Sequence, residues 1–148
     1  MNIFFDVDYT ILAVDGSPRP LTTETFRALY DEGHTLYVWS GVGVRTREVN
    51  ALGLGPLVSG VFEKPLDRYQ ARLPSLGIHV WPDFVVDDYP EIVEFFGGMV
   101  VRTYMFANSL DREMERVLRV VRDFSEHGAS EEDGYRAASA SHGHGPLR

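Results

Sequence analysis

The 148-residue chain carries 14 lysines and arginines against 22 aspartates and glutamates, a formal net charge of −8. With 44% hydrophobic, 12% aromatic and 24% charged residues, it has the make-up of one ordinary globular domain, which excludes a fibrous repeat and wholesale disorder. It has no cysteine, which rules out disulfide frameworks, thiolate zinc sites and cysteine nucleophiles, and its acidic balance disfavours broad wrapping of a nucleic-acid backbone.

Asn2 to Phe5 is a compact apolar run, the pattern of a strand buried on both faces. Ile11 to Pro20 follows with a short strand, an Asp15-Gly16 turn and a Ser-Pro-Arg-Pro return, a hairpin signal. From Thr22, which suits an N-cap, Phe26, Leu29 and Tyr30 recur at helical spacing until Gly33. Thr35 to Trp39 is a second strand. Val44 to Leu52 reads as a helix stopped by Gly53. Val58 to Phe62 is a weaker third strand, broken by Gly60. Asp67 is placed to cap a helix carrying Tyr69, Leu73 and Leu76, closed by Gly77. Phe84 to Val86 is a fourth strand, Pro90 opens a short helix through Phe96, and Met99 to Val101 is a fifth strand. The last helix has one apolar stripe, Leu110, Met114, Val117, Leu118, Val121 and Phe124, with Asn108 or Ser109 as its cap.

Short apolar runs alternating with helical patterns predict an α/β fold, with five parallel strands joined by crossover helices over residues 1–128. Residues 129–148 are rich in Ala, Ser, Gly and His, so they read as a disordered tail that includes the pair His142 and His144. No apolar run approaches the ~20 residues of a membrane span. The N-terminus lacks a basic region and meets a carboxylate at Asp6, so no signal peptide is expected and the cytoplasm is the expected location.

Four motifs carry the chemistry. In Phe4-Phe5-Asp6-Val7-Asp8-Tyr9-Thr10 an apolar strand runs into two carboxylates, which repel each other unless a cation or a proton joins them. Tyr37-Val38-Trp39-Ser40-Gly41 ends a strand in a hydroxyl and a glycine, a combination able to present an O–H and backbone N–H groups to an anion. Lys64 follows the third strand and is a point charge suited to a phosphate. Phe84-Val85-Val86-Asp87-Asp88 again feeds a strand into paired carboxylates, hard ligands that suit Mg²⁺. Each has a plainer reading when taken alone. These are an acidic turn, a capping serine, a lysine paired with Glu63 or Asp67, and an acidic helix start.

In this order and spacing the four motifs resemble the haloacid dehalogenase-like (HAD) hydrolase superfamily, over roughly residues 2 to 106. The resemblance implies a Rossmann-like three-layer α/β/α sandwich with the first strand in the middle of the sheet, and a phosphatase working through an aspartyl-phosphate. It further implies Asp6 as nucleophile and Asp8 as general acid, then base. Mg²⁺ would be held by the Asp6 side chain, the Asp8 carbonyl and the Asp87–Asp88 pair, with Asp88 the direct ligand. Ser40 would bind a phosphoryl oxygen, and Lys64 would offset the charge of the nucleophile and the phosphoryl group. Around them Thr10 would fix the turn, the Gly41 N–H would assist Ser40, and Arg45 and Arg47 would grip a second anionic group.

Neither Ile11–Pro20 nor the stretch between Ser40 and Lys64 has room for a helical cap domain. The chain therefore resembles capless members, loosely the small magnesium-dependent phosphatases, with an open site for a phosphorylated small molecule or macromolecule, or one that a second subunit covers in a homo-oligomer. Tyr9, Arg19, Arg45, Arg47 and Tyr89 are the candidates for its mouth. Three alternatives stand beside this reading: a catalytically silent binding module on the same fold, a phosphotransferase using the same site, and a response-regulator receiver domain. The receiver has similar chemistry in a different motif order.

Overall fold

The computed structural model describes residues 1–140. The strands are β1 (Asn2–Asp6), β2 (Thr35–Ser40), β3 (Val58–Glu63), β4 (Phe84–Asp87), β5 (Gly98–Val100) and β6 (Tyr135–Arg136). The helices are α1 (Thr22–Asp31), α2 (Thr46–Ala51), α3 (Tyr69–Arg72), α4 (Pro90–Phe96) and α5 (Glu113–His127). One sheet holds all six strands in the order β3-β2-β1-β4-β5-β6. β1 to β5 pair in parallel, and β6 joins β5 antiparallel.

The alternation of β1 explains the layers. Ile3 and Phe5 point to one face, where they pack with Phe26 and Leu29 of α1 and Met114, Val117, Val120 and Val121 of α5. Phe4 points to the other face, with Tyr37, Trp39 and Val85 under Ile92, Val93 and Phe96 of α4. Both faces are covered, which is why β1, β2 and β4 read as continuous apolar runs rather than alternating ones. At Gly98, with φ of 149°, a Cβ would fall 2.0 Å from the Val85 carbonyl oxygen, so only glycine lets β5 lie this close to β4.

Several sequence expectations need correction. The sheet has six strands, not five, and the sixth comes from the stretch expected to be a disordered tail. Val100 N–H donates to the Gly134 carbonyl at 2.8 Å, Tyr135 packs on Phe124, and the N–H groups of Ser139 and Ala140 bond the carbonyls of Glu94 and Phe95. Backbone pairing, one aromatic ring and polar bonds to the helices, among them Arg119 to Glu132 at 3.0 Å and Ser130 to Asp123 at 2.6 Å, hold this segment, none of which shows as an apolar run. His142 and His144 lie outside the described residues.

The last helix starts at Glu113. Asn108 instead closes a local turn by accepting from Leu110 N–H at 3.0 Å, and the Asp111 carboxylate takes the Glu113 N–H at 3.1 Å. Leu110 is therefore outside the stripe and 81% exposed. Pro74 breaks the helix expected after Asp67. α3 is a single turn followed by a 3₁₀ turn at Pro74–Leu76, and Asp67 pairs with Arg72 rather than capping. Thr22 lies inside α1, with its hydroxyl donating to the Arg19 carbonyl.

Among the described residues, only a hairpin turn separates β1 from α1, and only α2 and a 3₁₀ turn at Gly55–Leu57 separate β2 from β3. No inserted cap stands over the C-terminal edge of the sheet among the described residues. No helix of the described residues is long and apolar enough to cross a membrane.

Candidate functional site

In a parallel sheet all the C-terminal strand ends lie along one edge. Connections from β1 run outward through β2 to β3, then return to β4 on the other side of β1. The direction in which strands are added to the sheet reverses between the parallel neighbours β1 and β4, the position where open α/β sheets bind ligands. Asp6 ends β1 and Asp87 ends β4, so two buried carboxylates flank that crevice. Ser40 ends β2. Lys64 follows β3 and is drawn inward as its N–H donates to the Ser40 carbonyl at 2.8 Å.

Lys64 Nζ lies 3.1 Å from Asp6 Oδ1 and 2.9 Å from Asp87 Oδ2, bridging the two strand ends. Asp6 Oδ2 also accepts from the Thr10 hydroxyl at 3.1 Å. Beyond Asp6 the chain turns sharply. The N–H groups of Thr10, Ile11 and Leu12 all reach the Val7 carbonyl, and Tyr9 takes a left-handed conformation with φ of 64°. The turn carries Asp8 away from Asp6 to Arg45, whose Nη1 lies 2.6 Å from Asp8 Oδ2, and Glu48 holds the same guanidinium at 3.1 Å.

Burial and the negative charge of Asp87 push the Asp6 carboxyl up to about 8, against the pull of Lys64. Asp87 is raised for the same first reason, burial, with Lys64 again opposing. Burial works against the Lys64 ammonium, yet the charges of Asp6 and Asp87 hold it above the usual lysine value. One ammonium thus stands among more carboxylates than it can neutralise.

Asp6, Asp87 and Asp88 each offer one carboxylate oxygen, and these atoms lie within 4.8 Å of one another. An all-oxygen set on rigid strand ends fits a hard divalent cation. Asp87 is fully buried and accepts the Tyr89 N–H at 2.9 Å, whereas Asp88 lines the cleft and is met by the Thr103 hydroxyl at 3.4 Å. Asp88 is thus the more open of the pair. The Asp8 side chain takes no part in this cluster.

The cleft above these groups has a volume of about 420 Å³. Asp6, Asp8, Ser40, Gly41, Lys64 and Asp88 all line it. Ser40 is buried and its Oγ accepts from Val42 N–H at 3.3 Å. Three expected residues stand elsewhere. Thr10 is buried beneath Asp6, as a turn-fixing residue requires. Arg45 is committed to Asp8 and Glu48, and Arg47 is exposed outside the cleft wall.

Arg19, expected at the mouth, is instead 1% exposed. It holds Asp111 through Nε and Nη2, and donates to the carbonyls of Thr10 and Arg102. It therefore ties the turn after β1 to the segment before α5. Val42, Leu66, Tyr69 and Ile92 also line the cleft; their apolar character shows in the sequence, but their placement at this edge does not.

Comparison with protein-family models, with curated proteins and with solved structures returns no match for this chain.

Proposed function

We propose that the chain is a HAD-type, Mg²⁺-dependent phosphatase of the capless kind, acting on phosphomonoesters through an aspartyl-phosphate at Asp6. The observation that carries this reading is Lys64 bridging Asp6 and Asp87, with Asp88 beside them, in an open cleft where the sheet order reverses. A buried carboxylate steered by a lysine and a threonine hydroxyl is oriented as a nucleophile needs to be.

Asp6 forms a bond to phosphorus as the ester P–O bond breaks, and Asp8 gives its proton to the departing oxygen. Asp8 then takes a proton from water, which attacks the phosphorus of the acyl phosphate, releases inorganic phosphate and restores Asp6. Asp8 rests on Arg45 at 2.6 Å and swings from it toward the ester oxygen for these proton transfers. Ser40 donates its hydroxyl to a phosphoryl oxygen, and Lys64 balances the added negative charge. When bound by Asp6, Asp87 and Asp88, Mg²⁺ supplies the positive charge that lets a carboxylate approach a phosphoryl group.

The test is phosphate release from a panel of sugar phosphates, nucleotides, phosphopeptides and phosphorylated nucleic-acid ends. Steady hydrolysis is expected with Mg²⁺ and its loss with EDTA. Metal-independent hydrolysis contradicts the cation's role. An inert panel leaves the site to a binding module, and phosphate passed only to an acceptor other than water makes it a transferase.

A further inference from the structure

The floor of the cleft is charged, but its walls are not. Tyr9, Val42, Leu66, Tyr69, Tyr89 and Ile92 surround the carboxylates, and Lys64 is the one cationic side chain among the lining residues. Val42, Leu66 and Tyr89 are 76%, 67% and 52% exposed, gathered at one mouth rather than scattered over the surface. Leu66 leans across Gly41 so closely that a Cβ there would meet its Cδ2 at 2.7 Å.

The cations that line or border the cleft are already engaged, and Arg47 stands outside its wall. Lys64 is held by Asp6 and Asp87, Arg45 by Asp8 and Glu48, and Arg72, in the groove beyond Leu66, by Asp67. A ligand group with further negative charge would meet Asp8 and Asp88 with no free partner on the wall.

We infer that the substrate is a phosphomonoester of an apolar alcohol or phenol bearing no second anionic group, its leaving group seated against Val42, Leu66 and Tyr89. The inference rests on the phosphatase reading and adds what that reading leaves open, the chemistry next to the phosphate. The cleft volume suits a small organic group. Its walls select by burying apolar surface, and the polar side-chain atoms they offer, the hydroxyls of Tyr9, Tyr69 and Tyr89, carry no charge to balance a second phosphate.

The experiment compares benzyl phosphate, glycerol phosphate and a hexose bisphosphate with Mg²⁺. Their leaving alcohols are of similar basicity, so the comparison reads the cleft rather than the intrinsic reactivity of the ester. We expect kcat/KM for benzyl phosphate to exceed that for the other two by at least about tenfold, carried mainly by KM, which corresponds to about 1.4 kcal/mol. In the double variant Leu66→Ser/Val42→Ser, with both positions exposed and the fold checked by circular dichroism, that ratio should shrink to within about threefold, or about 0.65 kcal/mol. Equal or better use of glycerol phosphate or the bisphosphate overturns the inference while leaving the phosphatase reading intact, and so does a ratio that the double variant does not change. Hydrolysis of none of the three esters, in a preparation inert to the wider panel as well, removes the phosphatase reading and the inference with it.

Discussion

Replacing Asp6 with asparagine is expected to lower kcat for any phosphomonoester that the wild-type chain hydrolyses by at least roughly 10⁴-fold, the scale of losing a covalent nucleophile. An amide keeps the shape of the carboxyl; its one oxygen can accept from Lys64 in the place of Oδ1, while its NH2 group, in the place of Oδ2, can donate to a rotated Thr10 hydroxyl. Burial opposes the charge on Asp6, and the charge on Asp87 repels it. Removing it therefore costs the fold nothing in that respect, and the metal-free variant should melt no lower than wild type. Steady-state kinetics and thermal melting check the two halves separately. Undiminished turnover in Asp6→Asn contradicts the nucleophile. Lost turnover with a collapsed melting transition shows that Asp6 acts through stability instead.

Arg19→Met is expected to destabilise the chain by about 3–5 kcal/mol, the scale of stranding one partner of a buried ion pair. The guanidinium is almost fully buried, forks onto both oxygens of Asp111 at 2.8 and 3.1 Å, and bonds two backbone carbonyls. It also sits 5.1 Å from the centre of the Tyr104 ring. Its loss leaves a half-buried carboxylate and the Thr10 and Arg102 oxygens without a donor. For a chain of this length the melting temperature should fall by about 10 °C. Arg19→Met/Asp111→Leu should regain part of the loss, because the stranded charge goes with it. A single variant within about 1 kcal/mol of wild type shows that desolvation cancels what this pair contributes.

The sequence made the strand ends legible because a parallel strand buried on both faces is a bare apolar run, and whatever follows it sits at the ligand edge. Phe4-Phe5-Asp6 and Val85-Val86-Asp87 state both facts at once, and Asp6, Ser40, Lys64 and Asp88 do meet in one cleft. Relations across long sequence distances were not legible. Arg19 looks like a loop arginine until the fold brings up Asp111, 92 positions away. Arg45 looks like a free anion grip until the turn at Val7 swings Asp8 onto it. The strand at Tyr135–Arg136 was invisible for a different reason. Two residues amid Ala, Ser and Gly carry no periodicity, and the backbone of β5 and the ring of Phe124 recruit them.

The net charge of −8, taken alone, would argue against any phosphorylated ligand, but it is an average over the chain. Four of the 22 acidic side chains are Asp6, Asp8, Asp87 and Asp88, gathered where Lys64 and Arg45 oppose them and where three of them could hold a cation. An acidic surface elsewhere says little about a cleft of this kind.

The most direct measurement is capture of the covalent intermediate. The protein is mixed with Mg²⁺ and a phosphomonoester from the panel, quenched in acid and reduced with borohydride, and the peptide containing Asp6 is then sequenced by mass spectrometry. Conversion of Asp6 to homoserine, with Asp8, Asp87 and Asp88 unchanged, is the expected result. Unmodified Asp6 in protein quenched during a burst that consumes one ester per site would mean that another group or water attacks phosphorus, and would contradict the proposed chemistry at its first step.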